Sequence, residues 1–366
     1  MKIGILGTRG IPNAYGGFEQ FAQYLALGLV RRGHEVSVYN SSDHPHQGSE
    51  WEGVRIIHCR DWERKIGTAG QFLYDLNCFR DASRRNYDIL LQLGYTSSSV
   101  WHRFWPKDPI NVVNMDGLEW KRSKYNRLTR RFLKHAERWA AEFGDRLVAD
   151  SIGIKDYLLE QYDKTAVFIP YGADIPDRFE EDMPQRMGLA AGSYMLVIAR
   201  MEPENNIELI LQGWMASDKE RPLVLVGNTG NRFGRYLIEK YRHDNLRFTG
   251  AIYDLPTLNA LRHYAYLYFH GHSVGGTNPS LLEAMACSCA IAAHDNVFNR
   301  SVLGRDAFYF SSAREVTSII QTGPEGAGIA GFRERNLEKI ALSYCWETII
   351  DDYEKLFTPK KLSNSL

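Results

Sequence analysis

The sequence predicts an α/β protein of two doubly wound Rossmann-like domains. Three observations carry that expectation. Short apolar runs alternate with longer amphipathic stretches, the runs are nearly continuous in Val, Ile and Leu, and a turn-rich break divides them into two series. Continuous apolar runs are how strands buried on both faces of a parallel sheet read, and alternation with helices implies parallel sheets. A chain of 366 residues holds two domains at roughly 150 residues each.

The first series of expected strands is Lys2–Gly7, Glu35–Tyr39, Val54–His58, Ile89–Leu93, Ile110–Val113, Arg146–Ala149 and Val167–Ile169. The second is Tyr194–Ala199, Leu223–Val226, Leu246–Phe248, Leu267–His270, Ala290–Ala292 and Ala307–Phe310. Between the first two strands, Phe18, Phe21, Ala22, Leu25 and Leu29 fall on one helical face and Gly33 marks the helix end. The break runs from Pro170 through Pro176 to Met183 and Pro184, so the domains are expected at 1–170 and 192–344 with a linker at 171–191. The tail from Thr358 is expected to fray.

Composition narrows the function classes. Apolar residues make up 44% and charged residues 24%, as in ordinary globular chains. Lys+Arg and Asp+Glu are both 44, so the chain is not built as a general nucleic-acid binder, which carries a basic excess. Five cysteines, Cys59, Cys78, Cys287, Cys289 and Cys345, include no CxxC pair and read as reduced thiols of a cytoplasmic protein. The amino terminus is too short in apolar residues for a signal peptide, and no run reaches the roughly 18 that a membrane span needs.

In open α/β sheets ligands sit at the carboxyl ends of strands, and two such domains imply a central cleft. Five motifs follow strands. The first is Gly7 through Glu19, with Gly16 and Gly17 at a helix start, where backbone N–H groups face a phosphate or sugar. A tight turn without a ligand is the alternative. Its glycines do not follow GxGxxG, and the second strand ends at Tyr39-Asn40 without an acidic residue, so a dinucleotide site is not expected. The second motif is Asn114 through Arg122, in which Asp116 and Glu119 would take an acceptor proton or hold a sugar hydroxyl. A capping Asp with a first-turn Glu is the structural reading.

The third is a basic stretch. Arg127, Arg131, Lys134 and Arg138 share a helical face opposite Leu128, Phe132, Ala136 and Trp139, and Lys121, Arg122, Lys124 and Arg130 lie nearby. It suits anionic headgroups or a diphosphate-bearing acceptor; a solvated helix surface is the alternative. In the fourth, Arg200 ends a strand ahead of Pro203 and is placed for a diphosphate, unless it forms a structural salt bridge.

The fifth is a Gly-rich loop, His270 through Asn278, opening a helix. The N–H groups of Gly276, Thr277 and Asn278 are expected to cradle phosphate, and Glu283, a turn in, to accept ribose hydroxyls. His270 and His272 lack a third ligand nearby and the chain lacks a DxD, so no metal or other cofactor is expected.

At this loop the sequence resembles the retaining GT-B glycosyltransferases of glycosyltransferase family 4. Leu282-Glu283-Ala284-Met285-Ala286 matches the second half of their E-x7-E-A-M-A pattern. Arg200 matches their donor-phosphate arginine and Ala14-Tyr15-Gly16-Gly17 their glycine loop. The resemblance spans about 1–355 and implies a GT-B fold, with a last helix at about 345–357 crossing back to the first domain and a domain closure that excludes water. Three positions depart from the pattern: Gly275 stands where the first Glu falls, Asn205 where a phosphate-binding Lys falls, and Asp116 where a histidine is frequent. Asn205 is expected to hydrogen-bond phosphate without neutralising it.

Asp116 through Arg122 and Gly275 through Glu283 further resemble a subgroup described as bacterial rhamnosyltransferases of capsule or O-antigen assembly. That resemblance implies transfer of L-rhamnose from dTDP-β-L-rhamnose, with retention, onto a saccharide or polyprenyl-diphosphate-linked acceptor. Through the basic helix at 121–138 the protein is expected at the inner face of the cytoplasmic membrane, as a peripheral contact. Arg200, Asp116 and Glu119 become the catalytic candidates. A GT-B-shaped nucleotide-sugar epimerase and a non-catalytic sugar-nucleotide-binding subunit are the alternatives.

Overall fold

The structure is a computed structural model that describes residues 1–14, 16–122, 125–218, 220–324 and 328–358. Tyr15 of the first motif, Lys124 of the basic stretch and the tail from 359 lie outside the described residues. The chain divides into two compact units. The first comprises Met1–Tyr171 and the segment from Trp346; the second is Gly172–Cys345.

The first unit is an eight-stranded sheet: β1 (Lys2–Leu6), β2 (Glu35–Ser41), β3 (Glu50–Trp51), β4 (Val54–Cys59), β5 (Ile89–Leu93), β6 (Ile110–Asn114), β7 (Arg146–Ala149) and β8 (Ala166–Phe168). Their order is β3-β4-β2-β1-β5-β6-β7-β8, parallel except for the β3–β4 pair. The second unit holds β9 (Met195–Ile198), β10 (Leu223–Val226), β11 (Leu246–Gly250), β12 (Leu267–His270), β13 (Ile291–His294) and β14 (Phe308–Phe310), all parallel in the order β11-β10-β9-β12-β13-β14. Every expected strand is present to within two residues. The two-residue β3 was too short to leave a periodic signal.

In both sheets the strand order reverses beside the first strand, between β1 and β5 and between β9 and β12. Loops leaving those carboxyl ends diverge to opposite faces and open a crevice, which is where doubly wound folds bind ligands. The motifs expected to bind leave these strands and their neighbour β6.

The longer helices are α1 (Gly17–Arg31), α2 (Ala69–Ala82), α3 (Arg127–Phe143), α4 (Ile152–Tyr162), α5 (Ile207–Met215), α6 (Arg232–Lys240), α7 (Leu255–His263), α8 (Pro279–Ala286), α9 (Val297–Leu303), α10 (Ala313–Thr322), α11 (Gly328–Lys339) and α12 (Trp346–Phe357). α1 buries Phe21, Ala22, Leu25 and Leu29, as its spacing predicts, and Gly33 follows at positive φ. α5 and α10 cover one face of the second sheet through Ile207, Ile210, Trp214, Val316 and Ile320, all buried. Full burial of such side chains contributes roughly 1.5–3 kcal/mol each.

Of the linker expected at 171–191, Tyr171 belongs to the first unit and the rest to the second. Met183–Arg186 forms a helical turn against α7, and Phe179 stacks on His263 at 3.8 Å between centroids. α12 packs on α1 in the first unit. Gly28 leaves room for Ile350, Phe21 meets Tyr353 at 5.4 Å, and Tyr24 stacks on Trp346 at 4.5 Å. Arg32 adds ion pairs to Glu347, Asp351 and Glu354.

Candidate active site

The second unit assembles its candidate residues from three loops at neighbouring strand ends. After β9 the chain turns tightly around the carbonyl of Arg200, which accepts from the Glu202 N–H at 2.8 Å and from the Asn205 side-chain amide at 2.7 Å. The Arg200 side chain is left exposed. Asn205 is buried and donates from its side-chain amide to that turn, so it supports the Arg200 loop.

The Gly-rich loop after β12 is stitched to this turn. Ser273 donates its backbone N–H (3.1 Å) and its hydroxyl (2.8 Å) to the Glu204 carbonyl, and Asn206 donates to the Gly271 carbonyl at 2.8 Å. From the β13 side, Asn296 and Asn299 both donate to the His272 carbonyl at 3.0 Å. Gly271 is needed for this closeness, because a Cβ there would lie 2.0 Å from the Asn205 carbonyl oxygen. The structure therefore ties the Arg200 turn to the start of the loop that leads into Gly276–Asn278.

The loop opens α8. The Asn278 side chain accepts from the Ser280 N–H at 3.0 Å, so Asn278 caps the helix. Thr277 is buried and Gly276 half-buried. Gly275 has φ +124°, a conformation side chains rarely adopt, so the glutamate absent from this position could not be added without strain. Glu283 is ion-paired with Arg262 of α7. The His270 ring is wholly buried, stacks on His272 at 4.4 Å and is driven well below its ordinary pKa by desolvation. Among the described residues no three His, Cys, Asp or Glu groups converge in a metal-binding arrangement.

In the first unit the glycine loop splits into two parts. A Cβ on Gly7 would meet the Leu93 carbonyl oxygen at 2.3 Å, and one on Gly10 would meet Asn40 Oδ1 at 2.5 Å. Chain packing explains those two glycines without a ligand. Gly16 is not crowded in this way: its nearest neighbour would be Glu19 Oε2 at 3.4 Å, an ordinary contact. Gly16 caps α1 and Gly17 is its first residue. Glu19 is buried and accepts from the Arg9 N–H at 2.7 Å, fixing the loop over the helix start.

Asp116 is not a helix cap. It sits at φ +43° in a turn after β6, and its N–H donates to Asn114 Oδ1 at 2.9 Å. Glu119 is tied to Arg122, with Nε 2.7 Å from Oε1. Tyr171 gathers the acidic groups of this region: burial raises its hydroxyl pKa well above the ordinary value, reinforced by Asp116, Asp150, Tyr353 and Glu19. Asp150, which directly follows β7, is not singled out by the sequence reading.

The basic helix α3 differs from expectation. It buries Leu133, Ala136, Glu137, Ala140 and Ala141, while Leu128 is 80% exposed and Phe132 and Phe143 are also exposed. Lys134 turns away from Arg127, Arg131 and Arg138. It pairs with the buried Glu137 at 2.9 Å and lies 4.6–5.1 Å from the rings of Trp120, Tyr157 and Tyr162. Glu137 also accepts from Trp120 (3.0 Å), Tyr157 (2.7 Å) and Tyr162 (2.6 Å), pinning the segment that follows Asp116. Arg127, Arg131 and Arg138 remain exposed. No helix among the described residues is long and apolar enough to cross a membrane.

Comparison with known proteins bears on the fold. Residues 181–314 match the model of glycosyl transferases group 1, and residues 1–174 match that of a domain of unknown function, DUF1972. No curated protein matches the chain significantly. Among solved structures, sucrose-phosphate synthase from Thermosynechococcus elongatus is similar over 97% of this chain and 98% of its own, with TM-score 0.79 and 16% identity. HepE of Anabaena, solved in complex with UDP, covers 97% and 99% with TM-score 0.74 and 16% identity. WaaG, a glycosyltransferase involved in lipopolysaccharide biosynthesis, covers 98% and 100% with TM-score 0.71 and 13% identity. The fold is GT-B, and the group 1 match together with that fold supports a sugar transferase.

Proposed function

We propose that this protein is a metal-independent glycosyltransferase that moves a sugar from a nucleoside diphosphate donor to a saccharide or lipid-linked saccharide acceptor, with retention. The observation that carries the reading is the frame in the second unit. The turn that carries the exposed Arg200 is hydrogen-bonded to the Gly-rich loop that leads into α8, within the stretch that matches glycosyl transferases group 1. Arg200 and the N–H groups of Gly276, Thr277 and Asn278 would hold the diphosphate and stabilise its charge as it departs. Glu283 would hold the ribose. In this reading catalysis rests on positioning and leaving-group stabilisation, with Asp116 orienting the sugar or acceptor.

The donor sugar we favour is L-rhamnose from dTDP-β-L-rhamnose, on the resemblance of the segments 116–122 and 275–283 to rhamnosyltransferases. The acceptor side would lie in the first unit, over Gly16 and Gly17. Exposed Arg127, Arg131 and Arg138 next to exposed Leu128 and Phe132 suit peripheral contact with an anionic membrane at the cytoplasmic face.

The test is direct. Thermal-shift screening against UDP-, GDP-, ADP- and dTDP-sugars identifies the donor, since only a ligand preferring the folded state raises the midpoint. Purified protein is then incubated with that donor, with and without lipid-linked saccharide. Transfer that requires the acceptor supports the proposal. Conversion of free donor without an acceptor would assign an epimerase, and binding without turnover a non-catalytic subunit.

A further inference from the structure

The Arg262–Glu283 pair is built unevenly. Arg262 lies near the end of α7, and its side chain is 1% exposed; Glu283, on α8, is 18% exposed. Arg262 Nη2 donates to Glu283 Oε2, while Nη1 donates to Asn259 Oδ1 at 3.2 Å. Asn259 Oδ1 also accepts from the Cys287 thiol at 3.6 Å, and the Cys289 thiol donates to the Arg262 carbonyl at 3.1 Å. The guanidinium is thus held from behind by the helix it grew from, with its carboxylate partner in front.

Burying a guanidinium is costly, and replacing a buried ion pair by apolar residues is often neutral or stabilising. Packing of α7 against α8 alone therefore does not explain the pair. What the pair provides is a carboxylate fixed in orientation by an interior cation, with an edge still reaching solvent a turn into the helix that the Gly-rich loop opens. Such a carboxylate is preorganised to accept hydroxyl hydrogen bonds.

We infer that Arg262 is a positioning residue for the donor: it holds the Glu283 carboxylate in the orientation that accepts the ribose hydroxyls of a nucleoside diphosphate. This rests on the donor-site reading of Glu283. Arg262 touches no substrate and acts through Glu283, with Asn259 setting the guanidinium.

The experiment is a double-mutant cycle read by calorimetric binding. The probes are inorganic diphosphate and whichever of UDP, GDP, ADP and dTDP wild type binds best. Arg262→Met is expected to weaken nucleoside diphosphate binding about tenfold and leave inorganic diphosphate unchanged. Glu283→Gln should do the same, and the double variant should bind no worse than either single one. Arg262→Lys keeps the buried charge, so it guards against a variant that fails to fold. It loses the fork from Asn259 to Glu283 and should weaken only the nucleoside diphosphate.

Equal losses for both probes would make Arg262 a general structural residue and overturn the inference. Additive effects, or unchanged binding in Arg262→Met and Arg262→Lys while Glu283→Gln binds weakly, overturn it and leave the donor site standing. Unchanged binding in Glu283→Gln overturns the ribose reading of Glu283, and the inference with it. A wild type that binds none of the four nucleotides overturns the whole donor site.

Discussion

Asn114 joins the last helix to the turn that carries Asp116: its amide donates to the Tyr353 hydroxyl at 3.3 Å while its carbonyl accepts from the Asp116 N–H at 2.9 Å. Both Asn114 and Tyr353 are buried. Tyr353→Phe removes one partner and should cost about 1 kcal/mol in urea unfolding. Asn114→Ala strands the buried hydroxyl and frees the Asp116 N–H, so it should cost about 2–3 kcal/mol. Equal losses in the two variants would show that Asn114 is not the shared anchor.

Asp116 tests the chemistry. In Asp116→Asn the turn geometry is retained, because asparagine also tolerates positive φ. If the carboxylate handles a proton or the sugar, turnover should fall about 100-fold or more, with little change in donor binding. Unchanged turnover at unchanged stability removes Asp116 from the catalytic groups.

Gly271 tests the loop frame. Its Cβ would overlap the Asn205 carbonyl, so Gly271→Ala should push the Gly-rich loop away from the Arg200 turn. We expect a stability loss above about 2 kcal/mol and weaker donor binding than in Arg200→Ala at its own stability. A variant with full stability and affinity would mean that the two loops move independently.

Asp75 gives the protein a pH dependence. Desolvation pushes its carboxyl up to about 7, against the opposing pull of Ser97 and the Arg9 charge. From about pH 4 to 7 the unfolded chain has released this proton and the folded one has kept it. Folding stability therefore falls as pH rises through that window and levels off above it. Asp75→Asn lacks this loss, so its stability relative to wild type should rise by about 2–3 kcal/mol between pH 5 and pH 8. Parallel stability curves for the two proteins would refute the assignment.

The exposed face of α3 is open to a simple measurement. Wild type should sediment with vesicles containing anionic lipid and less with neutral ones, and Arg127→Glu with Arg131→Glu should abolish the difference. Leu128→Ser should weaken binding to both vesicle types, because it removes apolar surface and leaves charge unchanged. Binding that ignores lipid charge would return α3 to the role of a solvated surface.

Strand positions are legible because two-sided burial writes itself as unbroken apolar runs, as in Met195–Ile198 and Leu223–Val226. The loops were legible because strand ends and glycines coincide. Pairings between distant residues were not. Nothing within α7 marks Arg262 as the partner of a glutamate on the next helix, and nothing marks Glu137 as the acceptor for Trp120, Tyr157 and Tyr162. The orientation of α3 was misread because Leu128 and Phe132 obey helical spacing yet face outward, while the charged Glu137 faces inward with its partners. The bond from Asn205 to the Arg200 carbonyl likewise leaves no mark in the sequence.

The return of α12 also sets an order of assembly. The face of α1 formed by Phe21, Tyr24 and Gly28 meets side chains that leave the ribosome only after residues 172–345 have been made. At roughly 5–20 residues per second, the first unit waits on the order of ten seconds or more for its last helix. During that interval the second unit is being made, and the nascent first unit lacks the side chains that cover this face of α1. A ribosome stalled near residue 345 would hold the protein in that state, with α1 open to a chaperone.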